Sequence, residues 1–427
     1  MRILGIETSC DETAAAVVEI TERPSDKSTK QPVVPLLSCS VLSNVVASQS
    51  GIHKQTGGVV PEVAARAHVE KIIPVVEKVI RVLESWVIRN RKTNNLITQV
   101  PNNPGIDAIA VTAGPGLTTS LLVGVEVART LAWLWKKPLI AVNHLAGHVY
   151  ANFLPPSRHS EERSDEESRT NVCSRIRERS FASLRMTDLK FPTLALIVSG
   201  GHTELVLMKK HLDFKVIGST RDDAAGEAFD KVAKMLGLGY PGGPAISAYA
   251  EKFQILNHKA QTNSKSQNPK LITKPYPLNP IPSIRFPRPM INSNDFDFSF
   301  SGLKTAVLYY LKEVRSQGSG VSGKSETCNL KPETLVQVCY EFQEAVVDVL
   351  VAKTVRAAQQ YKVKTVLLGG GVAANQRLRE QLQHVITTLT PATCHLSPSI
   401  YTTDNAAMIA AAGYFKARQK QFTPWKK

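Results

Sequence analysis

The sequence predicts an α/β protein of two like halves that face one cleft. Three observations carry this. A strand, a tight turn rich in hydroxyls and a return strand occur first at Ile3–Glu19 and again at Thr193–Met208. Glycine-rich turns that lead from a strand into a helix also recur, at Ala113-Gly114-Pro115-Gly116 and at Gly369-Gly370-Gly371. Finally, 427 residues, 43% hydrophobic and 21% charged, suffice for two domains with large cores.

Composition excludes several classes of function. No run of eighteen apolar residues exists, so no membrane helix is expected. The N-terminus enters a strand directly, with Glu7 in it, unlike a signal or transit peptide. Six cysteines stand at 10, 39, 173, 328, 339 and 394 without CxxC spacing, which points to reduced thiols and a cytoplasmic protein. The net charge of +16 is concentrated in residues 86–104, 251–292 and 411–427. Basic stretches of this kind suit either contact with a polyanion or plain solvation.

Taken in order, Ile3–Thr8 reads as a buried strand and Ala14–Glu19 as its return. Ser9-Cys10-Asp11-Glu12-Thr13 between them is too short for a helix, so the pair is a hairpin whose tip suits a phosphate or a phosphate-bound metal. Gly57-Gly58-Val59-Val60-Pro61 leads into a helix from Glu62 to about Leu83, kinked at Pro74. Its apolar residues Val63, Ile73, Val76, Ile80 and Leu83 are assigned to the core. Residues 90–104 read as a loop. Ile106–Thr112 is a strand, Ser120–Trp135 a helix, and Pro138–Val142 another buried strand.

Next comes Asn143-His144-Leu145-Ala146-Gly147-His148. In a helix, His144 and His148 lie one turn apart on one face, a spacing that suits a transition metal. Surface or capping histidines share this pattern. No glutamate follows His144, so a zinc-protease reading fails. A third ligand must come from elsewhere, and Asp404 near the end of the chain is the candidate. An aspartate before a helix, here Ala406–Gly413, is also a common N-cap.

Residues 155–190 hold eight basic and seven acidic side chains with few large apolar ones, and read as a disordered insertion. Thr193–Val198, the turn Ser199-Gly200-Gly201-His202 and Glu204–Met208 form the second hairpin. Residues 221–236 run into a helix with Glu227 and Asp230 on one face. Tyr240–Pro244 is a rigid turn, 255–292 and 315–332 are loops or inserts, Leu335–Gln360 is a helix and Thr365–Leu368 a strand. Gly369–Asn375 then turns into a helix from Gln376, an arrangement suited to a nucleotide or nucleoside.

Together, Glu7–Thr13, Gly57–Glu62, Ala113–Gly116, Asn143–His148, Val198–Thr203, Asp222–Asp230 and Gly369–Asn375 resemble the TsaD-type tRNA threonylcarbamoyladenosine transferases. The resemblance implies an ASKHA fold (actin, hexokinase, heat-shock ATPase), duplicated around a central cleft. Residues 1–154 would form one half and 191–427 the other. It implies transfer of threonylcarbamoyl from threonylcarbamoyl-AMP to N6 of adenosine 37 in tRNAs that read codons beginning with A. It also implies that His144, His148 and Asp404 hold one divalent metal, iron(II) ahead of zinc. Ile197, Val198, Ser199, Gly200, Gly201, Asp230, Gly243 and Asn375 would hold the adenylate. The implied partners are tRNA, a TsaB-type paralogue at the helix after Gly58, and a TsaE-type ATPase. Many members carry an acid where this chain has Ala146, which would remove a contact supporting the metal site.

The activated acyl donor needs no covalent nucleophile, only orientation, polarisation and a proton acceptor. Asp11 is the candidate base or positioning group. A small-molecule kinase on the same fold, or a non-catalytic scaffold in a tRNA-modifying complex, are the competing functions.

Overall fold

The computed structural model describes residues 1–23, 36–90, 105–155, 189–263, 284–317 and 330–424. Two five-stranded sheets repeat one plan. In the first, β1 (Arg2–Glu7), β2 (Glu12–Arg23), β3 (Leu36–Ser48), β4 (Ala108–Gly114) and β5 (Leu139–Asn143) lie in the order β3-β2-β1-β4-β5. In the second, β6 (Thr193–Val198), β7 (Thr203–Met208), β8 (Phe214–Ser219), β9 (Thr365–Gly369) and β10 (Thr393–Leu396) lie in the order β8-β7-β6-β9-β10. Each half opens with an antiparallel hairpin and a third antiparallel strand, then adds two parallel strands beside the first. This is the duplicated ASKHA arrangement.

Alternation along β1 shows how the first sheet is covered. Leu4 and Ile6 join Ala15, Val17, Ile109 and Val111 against helices α2 (Pro61–Asn90) and α3 (Thr118–Trp135). Ile3 faces the other way, with Ala14, Ala16, Ala108 and Ala110, against the last helix, α10 (Ala406–Arg418). That helix is rich in alanine, and at Gly5 it touches the sheet backbone: a Cβ there would stand 2.1 Å from the Ala406 carbonyl oxygen. The C-terminal helix therefore packs on the sheet made by the N-terminus. Chain order and spatial halves part company at this point.

The remaining helices are α1 (Ser50–Thr56), α4 (His144–Tyr150), α5 (Ala225–Met235), α6 (Gly242–Asn263), α7 (Ser301–Gln317), α8 (Pro332–Gln360) and α9 (Gln376–Leu389). Several boundaries differ from those expected. Strands β3, β8 and β10 and helix α1 are additional. Gly242 begins a helix rather than sitting in a turn, and that helix runs through 255–263, which composition had assigned to an insert. Residues 315–317 close α7, and α8 begins at Pro332. Helix α2 continues to Asn90, past the expected end at Leu83. It contains Pro74, yet Ile73 is exposed rather than in the core, as are Val69 and Val82. Val76 and Leu83 are buried as expected. Nearly all of the 155–190 insertion lies outside the described residues, with only Pro155, Leu189 and Lys190 inside them. Among the described residues no helix is long and apolar enough to cross a membrane.

Candidate active site and metal centre

The buried strand β5 delivers the chain to Asn143, whose side-chain oxygen accepts a hydrogen bond from the Ala146 amide at 3.1 Å and so starts α4 at His144. Gly147 lets α4 press against α10, since a Cβ there would lie 2.8 Å from Ile409 Cδ1. This contact brings the segment before α10 to the histidines. Asn405, not Asp404, caps α10 by accepting from the Met408 amide at 3.0 Å. The Asp404 carboxylate is thereby left for the histidines. Its Oδ1 lies 3.4 Å from His144 Nε2 and 3.2 Å from His148 Nε2, and the two nitrogens are 3.2 Å apart. Ligands bound at about 2.0–2.1 Å around a tetrahedral ion stand roughly 3.3 Å apart, so this triangle fits a transition-metal ion.

A buried carboxylate fixes one of the two rings. Glu7 Oε2 lies 3.1 Å from His144 Nδ1 and accepts from Thr112 Oγ1 at 2.6 Å, while Glu7 Oε1 accepts from the Ser9 amide at 2.6 Å. Ser9 Oγ is also 3.1 Å from His144 Nδ1. A proton held at Nδ1 leaves the Nε2 lone pair facing His148 and Asp404, which is the tautomer a metal requires. Glu7 was not singled out in the sequence, although an acid inside an apolar strand was the available signal. Burial alone would lower the His144 pKa, but Asp404 and Glu7 outweigh it and push it up to about 9. Burial works to raise Asp404, and the two histidines instead pull it down to about 2. Ala146 lines a cavity behind α4, and the acid in contact with His144 is Glu7.

Both hairpin tips flank this centre. On the first, the carboxylate oxygens of Asp11 and Glu12 lie within 4.8 Å of that of Asp404. Burial, then Asp11 and Asp404, push the Glu12 carboxyl up to about 10. On the second tip, His202 is lowered by burial and by the charges of His144 and His148. Across the cleft, Asp230 is raised by burial and, among its charged neighbours, by Asp11.

The residues expected to hold an adenylate come together by close backbone contacts. Gly370 (φ 94°) packs on Val198, where a Cβ would stand 2.3 Å from the carbonyl oxygen. Gly226 meets Ser199, its amide donating to the Ser199 carbonyl at 3.2 Å. Asp230 accepts from the Gly242 amide at 2.7 Å, beside Gly243. Gly200 and Gly201 are exposed, and a Cβ on either, or on Gly243, would meet nothing within 4 Å. Ile197 and Val198 are buried in the core, so on the side of the cleft only their backbone is available to a ligand. Asn375 caps α9 by accepting from Leu378, and its amide nitrogen donates to Ser247 Oγ and Gln343 Oε1. Glu227, one turn before Asp230, pairs with Lys231 at 2.7 Å.

A family model described as TsaD, tRNA N6-adenosine threonylcarbamoyltransferase, matches residues 40–87, 91–161 and 180–411. The chain belongs to the TsaD family. The unmatched break between 161 and 180 falls inside the insertion that composition sets apart. A tRNA N6-adenosine threonylcarbamoyltransferase of Geobacillus thermodenitrificans is 43% identical over 411 residues, covering 96% of this chain and 90% of that protein. Those of Bacillus subtilis (42%; 97% and 90%) and Thermomicrobium roseum (41%; 98% and 93%) are comparably similar. Among solved structures, the activator of the 2-hydroxyisocaproyl-CoA dehydratase from Clostridium difficile is 10% identical, with a TM-score of 0.42 over 99% of this chain and 97% of that one.

Proposed function

We propose that His144, His148 and Asp404 form the metal centre at which this chain carries out its family's reaction, transfer of a threonylcarbamoyl group to N6 of adenosine in tRNA. As a TsaD-family member the chain is a tRNA-modifying transferase. The observation that carries the proposal is the close His–His–Asp triangle between the two hairpin tips. A divalent ion, iron(II) ahead of zinc, would supply Lewis acidity toward a carbonyl or phosphate oxygen.

The chain's own groups do the rest. Glu7 keeps the Nδ1 proton of His144 in place and so holds Nε2 toward the centre. The turn Ser199-Gly200-Gly201, with the backbone of Ile197 and Val198, receives the adenylate of threonylcarbamoyl-AMP, and Asp230, Gly243 and Asn375 border it. Asp11 takes up or directs the proton of the attacking adenosine amine at position 37, in tRNAs reading codons that begin with A. The exposed Val69 and Ile73, one turn apart on α2, suit a TsaB-type paralogue, and a TsaE-type ATPase joins that assembly.

The test is incubation of the protein, with those two partners, with threonylcarbamoyl-AMP and unmodified tRNA, followed by nucleoside analysis. Threonylcarbamoyladenosine should accumulate at position 37. Metal-replete protein that yields none in the complete mixture would refute the proposal.

A further inference from the structure

Behind α4 lies a cavity of about 310 Å³. It is lined by the face of the helix that carries Leu145 and Val149 rather than the histidines. Ile197 and Val206 of the second sheet lie opposite. The volume is at the lower end of the range for small-molecule pockets, about 300–1,000 Å³. Most of the lining is aliphatic, but two charged side chains enter it, Glu204 from β7 and Lys416 from α10.

Both side chains are partly buried, and among the described residues neither is paired with an opposite charge. Glu204 Oε2 is fully enclosed and has no hydrogen-bond partner among the described residues. Lys416 Nζ donates to one carbonyl, that of Ala141, at 2.7 Å, whereas an ammonium has three donors. Burial raises the Glu204 carboxyl and lowers the Lys416 ammonium, and no opposing charge from the described residues relieves either group. Two unlike charges left unpaired in one apolar cavity call for a ligand that carries both signs itself.

We infer that this cavity binds a free α-amino acid with a small aliphatic side chain, its ammonium on Glu204 and its carboxylate on Lys416. An amine alone would leave Lys416 unanswered, and a carboxylic acid alone would leave Glu204 so. Because the walls come from both sheets and from α4, an occupant ties the two halves together behind the metal helix. This inference does not depend on the reaction proposed above.

Equilibrium dialysis of the full-length protein against L-valine tests it, with isobutylamine and isovalerate as the two single-charge counterparts. Valine should bind saturably and raise the melting temperature, and each counterpart should bind at least tenfold more weakly. Glu204→Gln and Lys416→Met should each weaken valine binding tenfold or more. Val216, half exposed on the cavity lining, gives a variant that spares Glu204 and Lys416. Val216→Trp should block entry while the protein stays folded. The inference fails if millimolar valine does not bind, or if isobutylamine or isovalerate binds as well as valine. It also fails if folded variants retain wild-type valine affinity.

Discussion

Glu7 shows how much of a metal site can depend on a residue that touches no metal. One carboxylate oxygen holds the Ser9 amide and the other faces Nδ1 of His144, so the hairpin tip and the imidazole are fixed by the same side chain. Glu7→Gln should lower metal affinity by about 10- to 100-fold, the usual cost of losing such a partner, and titration against a competing chelator measures it. His144→Ala or His148→Ala should drop metal content well below one ion per chain with circular dichroism unchanged; a double variant that keeps both metal and activity would refute the assignment. Asp11→Ala should slow transfer roughly a hundredfold or more while adenylate binding falls less. Equal losses in binding and turnover would make Asp11 a ligand-holding residue. The histidine pair was legible in the sequence because helical spacing alone brings i and i+4 together. Glu7 was harder to see, because its partner is 137 positions away and only the sheet joins them.

At the scale of elements, the buried strands and long helices announced themselves through apolar runs. The strands that escaped notice, β3, β8 and β10, lie at sheet edges, where partial exposure mixes polar residues into the pattern. The contact between α10 and β1 was equally hidden, since nothing in the sequence pairs Gly5 with Ala406. Gly5→Ala should cost about 3 kcal/mol in denaturant unfolding, because the α10 backbone atoms of Ala406 and Ala410 that the added methyl would meet cannot yield. A second element-level prediction concerns His211, which stacks on Phe415 with ring centroids 4.2 Å apart and lies 3.2 Å from the Tyr150 hydroxyl. Burial, helped by Arg418, lowers its pKa to about 4. Between pH 6.5 and 4 the unfolded chain takes up a proton that the folded chain refuses, so stability falls as pH drops through that window. His211→Phe should flatten this part of the stability profile, and thermal melts at stepped pH would show it.

At the scale of the molecule, the repeated hairpins did foretell two like halves, and the identical strand orders bear that out. Dividing the chain in sequence, as 1–154 and 191–427, misses that the last helix belongs spatially to the first sheet. Composition also set apart 155–190, where the connection from α4 to the second sheet runs. Lengthening such a connection costs little, about 0.6 kcal/mol per doubling. Its seven acids largely offset its basic residues as a grip on tRNA. Replacing 157–188 with a short Gly/Ser linker, which keeps the buried Leu189, should leave melting temperature, tRNA affinity and transfer rate unchanged. A loss of affinity beyond about tenfold, roughly 1.4 kcal/mol, would show that the segment takes part in binding.

The placement of α10 on β1 also sets a schedule for biosynthesis. The first sheet leaves the ribosome with one face bare at Ile3, Ala14, Ala16 and Ala110, and the helix that covers it begins only at Ala406. At about 5–20 residues per second, the interval between residue 154 and that helix is roughly 13 to 50 s. Throughout that time the nascent chain displays an apolar surface that a chaperone can hold, and Asp404 arrives at the histidines only as the surface closes.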